Sequence, residues 1–151
     1  MGTCGAAYKK NNGRVNNPNM SQRIHGQGQF IDIFDFKPDK SKPGRTLETA
    51  KIGDVYMSRL VIDPGITTGN YFHKKTRKMF YAGGGEILAA FEHVKTKQRK
   101  EMKLEYAKQA IHVPPHVAIA TKNIGYNQAI LIFFSDRPIR DEEDTFPYHV
   151  L

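Results

Sequence analysis

Cysteine and tryptophan are almost absent from this 151-residue sequence, which contains one cysteine, Cys4, and no tryptophan. A single cysteine cannot form a disulfide within the chain, and no CxxC pair gives it a redox partner. The sequence is therefore not that of a disulfide-stabilised domain or a dithiol oxidoreductase.

Long apolar runs are also absent. No stretch approaches the roughly eighteen consecutive apolar residues of a membrane-spanning helix. Hydrophobic residues make up 39% and charged residues 25% of the chain, a composition typical of globular proteins. The length fits one domain with a single buried core. We expect a cytoplasmic protein that does not bind membranes.

Sustained helical periodicity is missing as well: no segment repeats apolar residues every 3.6 positions between capping residues. Short apolar and β-branched runs, such as residues 55–62 and 129–134, are instead separated by Gly- and Pro-containing turns. Many short strands at a spacing of about 8–12 residues are typical of antiparallel barrels and jelly rolls. The pattern predicts an all-β fold, an antiparallel jelly-roll barrel.

The beginning of the chain differs from the rest. Residues 1–24 are rich in Asn and Gly and contain few apolar side chains, so they are a poor core former. This composition predicts that residues 1–24 are a flexible basic arm and that residues 25–151 form a single β-barrel domain.

The chain is basic, with a formal net charge of +8. Residues 1–31 contain four cations and no acid, and most of the remaining excess lies in residues 74–78 and 95–108. A basic balance suits nucleic acid, an anionic membrane surface or an anionic small molecule. Because the aromatic residues fall at strand spacing and do not alternate with the cations, nucleic acid is the less favoured partner.

The most informative segment is Gly-Asn-Tyr-Phe-His-Lys-Lys-Thr-Arg-Lys, residues 69–78. Side chains two positions apart share one face of a strand, so Tyr71 and His73 share a face, and Lys75 joins them if the parity continues. Lys78 begins the next strand on the inward side, where an ammonium needs an anion or polar ligand. The plainer alternative is a core histidine followed by a solvated bend.

Three pieces of the sequence together resemble an RmlC-like cupin of deoxysugar and polysaccharide biosynthesis. They are Gly-Asn-Tyr-Phe-His-Lys-Lys-Thr (69–76), Val-Pro-Pro-His-Val-Ala-Ile (113–119), and the tail segments 133–138 and 144–151. The resemblance covers roughly residues 50–151. It implies a jelly-roll barrel whose inward side chains build one pocket.

The resemblance also locates the metal site of the family. Its four ligand positions correspond here to Tyr71, His73, Lys78 and Ile119, of which one is a ligand. A first-row metal normally takes three or more N, O or S ligands. We therefore expect no metal and no other cofactor.

Epimerases and ketoisomerases of dTDP-linked keto sugars, the metal-independent branches of this family, use a pocket His as base, a Tyr as proton partner and cations for the diphosphate. A proton next to a ketone requires a base titrating near neutrality, and the enolate requires a cation or donor. The resemblance implies that His73 is the base and Tyr71 its proton partner. It implies that Lys75, Lys78 and Arg59 bind the substrate, a nucleotide-linked or otherwise anionic sugar.

Departures from the family pattern leave two alternatives open. The epimerase pattern has its catalytic His where Tyr71 stands and an Arg where Thr68 stands, and the ketoisomerase pattern has a second His at the position of Tyr71. The chain is alternatively a catalytically degenerate cupin that serves as a carbohydrate-binding or assembly module. A third hypothesis is binding of nucleic acid or another anionic polymer through the arm and residues 95–108.

The resemblance also implies a homodimer. Cupins of this kind commonly pair through an N-terminal strand, and residues 30–36 are strand-like in this sequence. Because an exposed sheet edge must be covered, we expect this segment to cover an edge on a partner.

Overall fold

The computed structural model describes residues 30–151 in full and residues 22–24 by their backbone. All the regular secondary structure in this part of the chain is β-strand. The strands are β1 (Gln22–Ile24), β2 (Ile33–Asp35), β3 (Arg45–Ile52), β4 (Val55–Ile62), β5 (Thr67–Phe72), β6 (Lys78–Gly84), β7 (Ile87–His93), β8 (Arg99–Leu104), β9 (Ile111–Val113), β10 (Val117–Asn123), β11 (Ala129–Ser135) and β12 (Phe146–Pro147).

Two five-stranded sheets form the body of the domain. The first has the order β3-β4-β11-β6-β9 and the second β12-β5-β10-β7-β8. All neighbours pair antiparallel, and most of them are distant in sequence. This arrangement confirms the predicted all-β jelly roll. None of the described residues belongs to a helix that could cross a membrane.

The core lies between the sheets because alternate residues of each strand point inward. Ser58, Leu60 and Ile62 of β4 are buried, while the residues between them are half-buried. At the centre the Phe80 and Phe133 rings stack with centroids 5.0 Å apart. The period-two burial in these strands is the pattern expected of facing sheets.

Asn70 anchors the end of the chain against the second sheet. Its Oδ1 accepts hydrogen bonds from the backbone N–H groups of Val150 (2.7 Å) and Leu151 (3.0 Å), and its Nδ2 donates to the Leu151 carbonyl (2.9 Å). Val150 is buried with Ala118 and Ala120 in a small second cluster. Residues 148–151 therefore cover the face of the second sheet that points away from the core.

Gly69 allows β5 to approach β10 closely. It has φ +93, and a Cβ there would lie 2.5 Å from the Ile119 carbonyl oxygen. The register between β5 and β10 shifts at Ile119 and Ala120, and Ile119 is paired with Tyr71. A residue with a side chain at position 69 would displace the strand that carries Tyr71.

Residues 1–21 of the predicted arm lie outside the described residues. Its last three residues form β1, which pairs with β2 in a separate two-stranded sheet. β2 falls within the strand-like segment 30–36, where Phe30 and Ile31 are exposed. Pairing of this segment with a second copy of the chain stays a prediction.

Candidate functional site

A cavity of about 330 Å³ lies inside the barrel between the two sheets. β3, β4 and β11 form one wall, β5 and β10 form the other, and the segment after β11 contributes Ile139, Arg140 and Thr145. Among the described residues that line it are the cations Lys42 and Arg45, together with Arg140, and none is acidic. The cavity therefore has a positive wall.

Tyr71 joins this cavity to a cluster of polar side chains buried beside it. Tyr71 lines the cavity, and its ring centroid lies 5.1 Å from that of His73. The Lys78 Nζ lies 4.2 Å from the centroid of the Tyr71 ring. Three of the five predicted site residues thus come together, although His73 and Lys78 are not among those that line the cavity.

His73 is a neutral imidazole in this environment. Only 3% of the residue is exposed, and its Nδ1 lies 2.7 Å from the carbonyl oxygen of Asp144. Since a carbonyl only accepts, Nδ1 carries the proton and Nε2 the lone pair. Burial, and then the charge of Lys78, lower the pKa of His73 to about 4. Nε2 has no hydrogen-bond partner among the described residues.

Lys78 is more deeply buried still, with 2% exposed. Its Nζ finds no hydrogen-bond partner in the described part of the chain. Burial lowers the pKa of Lys78 to about 7. Burial also raises the pKa of Tyr71 above its ordinary value, so the phenol stays protonated at neutral pH.

Asp144 holds the bend between β5 and β6. Its Oδ1 accepts the N–H groups of Lys74 (3.0 Å) and Lys75 (3.2 Å), and its Oδ2 accepts the N–H (2.8 Å) and hydroxyl (2.7 Å) of Thr76. Burial acts to raise the pKa of this carboxyl, but the hydrogen bonds from Thr76 and the two lysine amides outweigh it and lower the pKa to about 2. Sequence reasoning missed this residue, since nothing local links it to the bend.

Lys75 does not share the inward face as the strand parity predicted. β5 ends at Phe72, and the next residues turn around Asp144, so the side chain of Lys75 is exposed while its amide points inward. The expectation assumed a strand that continues through the bend.

Arg59 also lies away from the cavity. It sits between the buried Ser58 and Leu60 on β4, and therefore points to the other face of the sheet. There it forms an ion pair with Glu48, and its guanidinium lies 5.0 Å from the centroid of the Phe36 ring. Arg59 is thus not among the residues that line the cavity, and its role in substrate binding stays a prediction.

The cations that do line the cavity were not identified from the sequence. Lys42 and Arg45 belong to the segment 39–45, which the sequence indicates is a Pro/Gly/Lys loop, and Arg140 comes from a turn almost a hundred residues later. Arg140 Nη1 donates to the Asp39 carboxylate and to Ser41 Oγ (2.9 Å). The hydrogen bonds of Ser41 and Arg140 lower the pKa of Asp39 although burial acts to raise it.

The residues at the family's metal positions do not fit a metal ion. Tyr71 and Ile119 are register partners on neighbouring strands, so the four positions do converge, but His73 alone offers a favourable ligand. The ammonium of Lys78 repels a cation at the same place. Among the described residues no three His, Cys, Asp or Glu side chains gather in a way that could hold a metal.

Three of the six cations in the basic segment 95–108 form ion pairs with neighbouring carboxylates. Four of its cations contact oxygen atoms of other side chains: Lys97 with Tyr148, Arg99 with Glu92 and Glu101, Lys103 with Glu86, and Lys108 with Glu105. This compensation weakens the case for an anionic polymer on this surface.

The two facing antiparallel sheets, with side chains converging on an internal cavity, define a jelly roll of the cupin type. The profile of the family described as the polysaccharide biosynthesis C-terminal domain matches residues 40–146. The chain belongs to this family.

Solved structures agree with this fold. The capsular polysaccharide assembling protein CapF from Staphylococcus aureus aligns with a TM-score of 0.70 and 20% identity, over 78% of this chain and 35% of that chain. The structure of CapF with the inhibitor 3-isopropenyl-tropolone aligns with a TM-score of 0.69 and 18% identity, again over 78% of this chain and 35% of that chain. An oxalate decarboxylase variant from B. subtilis aligns with a TM-score of 0.64 and 13% identity, over 75% of this chain and 30% of that chain. The chain thus spans about a third of CapF. No curated protein matches it.

Replacing Asp144 by Asn should destabilise the domain by about 3 kcal/mol, because an amide group would face donors that now bind a buried carboxylate. Urea unfolding measures this loss. Asp136→Asn is the matched control, since Asp136 accepts the backbone N–H and the Nε–H of Arg77 at an exposed position, where a loss of about 1 kcal/mol or less is expected. Equal losses would contradict the role given to Asp144.

The lowered pKa of Lys78 predicts a stability that rises with pH. Between about 7 in the folded state and the ordinary 10.5, the unfolded chain binds a proton that the folded chain lacks. The unfolding free energy therefore increases over this window, by at most about 1.4 kcal/mol per pH unit. Lys78→Met should remove this slope and be more stable than the wild type at pH 6, whereas Lys122→Met, at an exposed position, should retain it. Unchanged pH dependence in Lys78→Met would refute this.

Proposed function

We propose that the chain binds a nucleotide-linked or otherwise anionic sugar, with a sugar ring in the barrel cavity. The cavity is the observation that supports this proposal, because three cations and Tyr71 line it and none of the lining residues is acidic. Its volume of about 330 Å³ lies at the lower end of the range of ligand pockets. It would take one ring and leave the rest of a sugar nucleotide at the mouth.

The cations are placed to receive that outer part. Lys42 is exposed and Arg45 half-buried, so they mark the mouth of the cavity. Arg140 is fixed by Asp39 and Ser41. Guanidinium groups match the geometry of phosphate and carboxylate oxygens, which supports an anionic group at this end of the ligand.

The inner walls offer what a sugar ring requires. Thr67, Thr68 and Thr121 bring hydroxyl groups to the cavity, and Ile119 and Phe133 bring apolar surface. Thr68 and Thr121 already exchange a hydrogen bond of 3.0 Å. Hydroxyl groups beside apolar surface can orient a small-molecule ligand. Membership of a polysaccharide biosynthesis family supports a carbohydrate as the ligand.

Proton transfer next to a keto group is the second candidate, and the free Nε2 of His73 favours it. In that reaction Nε2 takes the proton from carbon, the electron pair moves to the carbonyl oxygen, and the Tyr71 hydroxyl donates to that oxygen. His73 lies behind Tyr71, however, and its pKa of about 4 makes it a weak base. Binding without turnover requires neither that His73 reach the ligand nor that it act as a strong base. Binding is therefore the function that the geometry supports best.

Calorimetric titration with a dTDP-linked 4-keto-6-deoxy sugar tests the binding proposal. The wild type should bind, and Arg45→Gln should weaken binding tenfold or more, because a charge-assisted contact is lost. Lys122→Gln is the control, since Lys122 follows the cavity residue Thr121 on β10 but is exposed. Absence of binding by the wild type, or equal affinities in both variants, would contradict the proposal.

The same mixture in deuterated water distinguishes the two candidates. A proton-transferring enzyme should exchange hydrogen at the carbons next to the keto group, and His73→Gln should lose at least a hundredfold of that rate. Binding without exchange identifies a carbohydrate-binding module.

A further inference from the structure

Lys78 stands at one of the four positions that correspond to metal ligands in the cupins that the sequence resembles. The ammonium does not turn away toward solvent: Lys78 is 2% exposed, and Nζ lies 4.2 Å from the centroid of the Tyr71 ring. His73 contributes a lone pair on Nε2 without a partner among the described residues. The interior therefore contains a buried ammonium group and an imidazole lone pair beside the Tyr71 ring, and neither has a hydrogen-bond partner among the described residues.

Keeping a cation there opposes folding. Burying an ammonium without a hydrogen-bond partner costs several kcal/mol unless the proton is released. An apolar side chain of similar length would fill the same space without this cost. The cation–π contact with Tyr71 offsets only part of that cost. Groups that burden stability in this way are concentrated at functional sites.

We propose that the ammonium of Lys78 takes the place of a metal ion in this barrel, as a cation attached to the chain itself. It gives the interior a positive charge directly behind Tyr71, which lines the cavity. An oxygen-rich ligand that contacts Tyr71 meets that charge without any metal being acquired. The inference is independent of the identity of the sugar.

Rebuilding the metal site tests this placement. Tyr71→His, Ile119→His and Lys78→Glu together would surround the interior with three His and one Glu, counting His73. This triple variant should bind one Co²⁺ per chain with visible d–d absorption, while the wild type should show none. The double variant that keeps Lys78 is the decisive control. It should bind Co²⁺ at least a hundredfold more weakly than the triple variant, because the ammonium stands where the metal would.

Equal Co²⁺ affinity in the double and triple variants would overturn the inference, as would a triple variant with native circular dichroism that binds no Co²⁺.

A second measurement needs no redesigned interior. In wild-type protein labelled with ¹³C-lysine, the Lys78 Cε resonance, assigned by its loss in Lys78→Met, should have the chemical shift of an ammonium at pH 6. The shift of a neutral amine at that pH would overturn the inference equally.

Discussion

The carboxylate of Asp144 is the contact on which the interior arrangement depends. It gathers the backbone N–H groups of residues 74–76 and the Thr76 hydroxyl, while the carbonyl of the same residue receives the Nδ1 proton of His73. A single residue, Asp144 in the segment that follows β11, thus fixes both the bend between β5 and β6 and the tautomer of His73. Asp144 therefore links the position of the bend to that of the buried His73.

Tyr71 divides the interior into two regions with different physical character. On one side is the cavity, with Arg45 and Arg140 on its wall. On the other are His73 and Lys78, buried and without hydrogen-bond partners at Nε2 and Nζ among the described residues. Burial lowers the pKa of both groups below their ordinary values. The cavity is thus suited to recognition, and the buried cluster to setting the charge beneath it.

The sequence predicts local alternation better than it predicts which distant segments meet. The bounds of β4, and the inward position of Lys78, follow from alternation within single strands. Strand β3 was missed because Arg-Thr-Leu-Glu-Thr-Ala-Lys-Ile has no aromatic residue and three charged residues. Lys75 was misplaced because a partner 69 residues away bends the chain. Arg140 was missed because the cavity wall combines segments whose proximity only the fold creates.

The most direct test of this account is a crystal structure of the wild-type protein with a dTDP-linked 4-keto-6-deoxy sugar. The account predicts density for the sugar ring in the cavity beside Tyr71, with the diphosphate at Lys42 and Arg45, and with the Lys78 ammonium behind the Tyr71 ring. Density for the ligand at the basic segment 95–108, with an empty barrel interior, would contradict it.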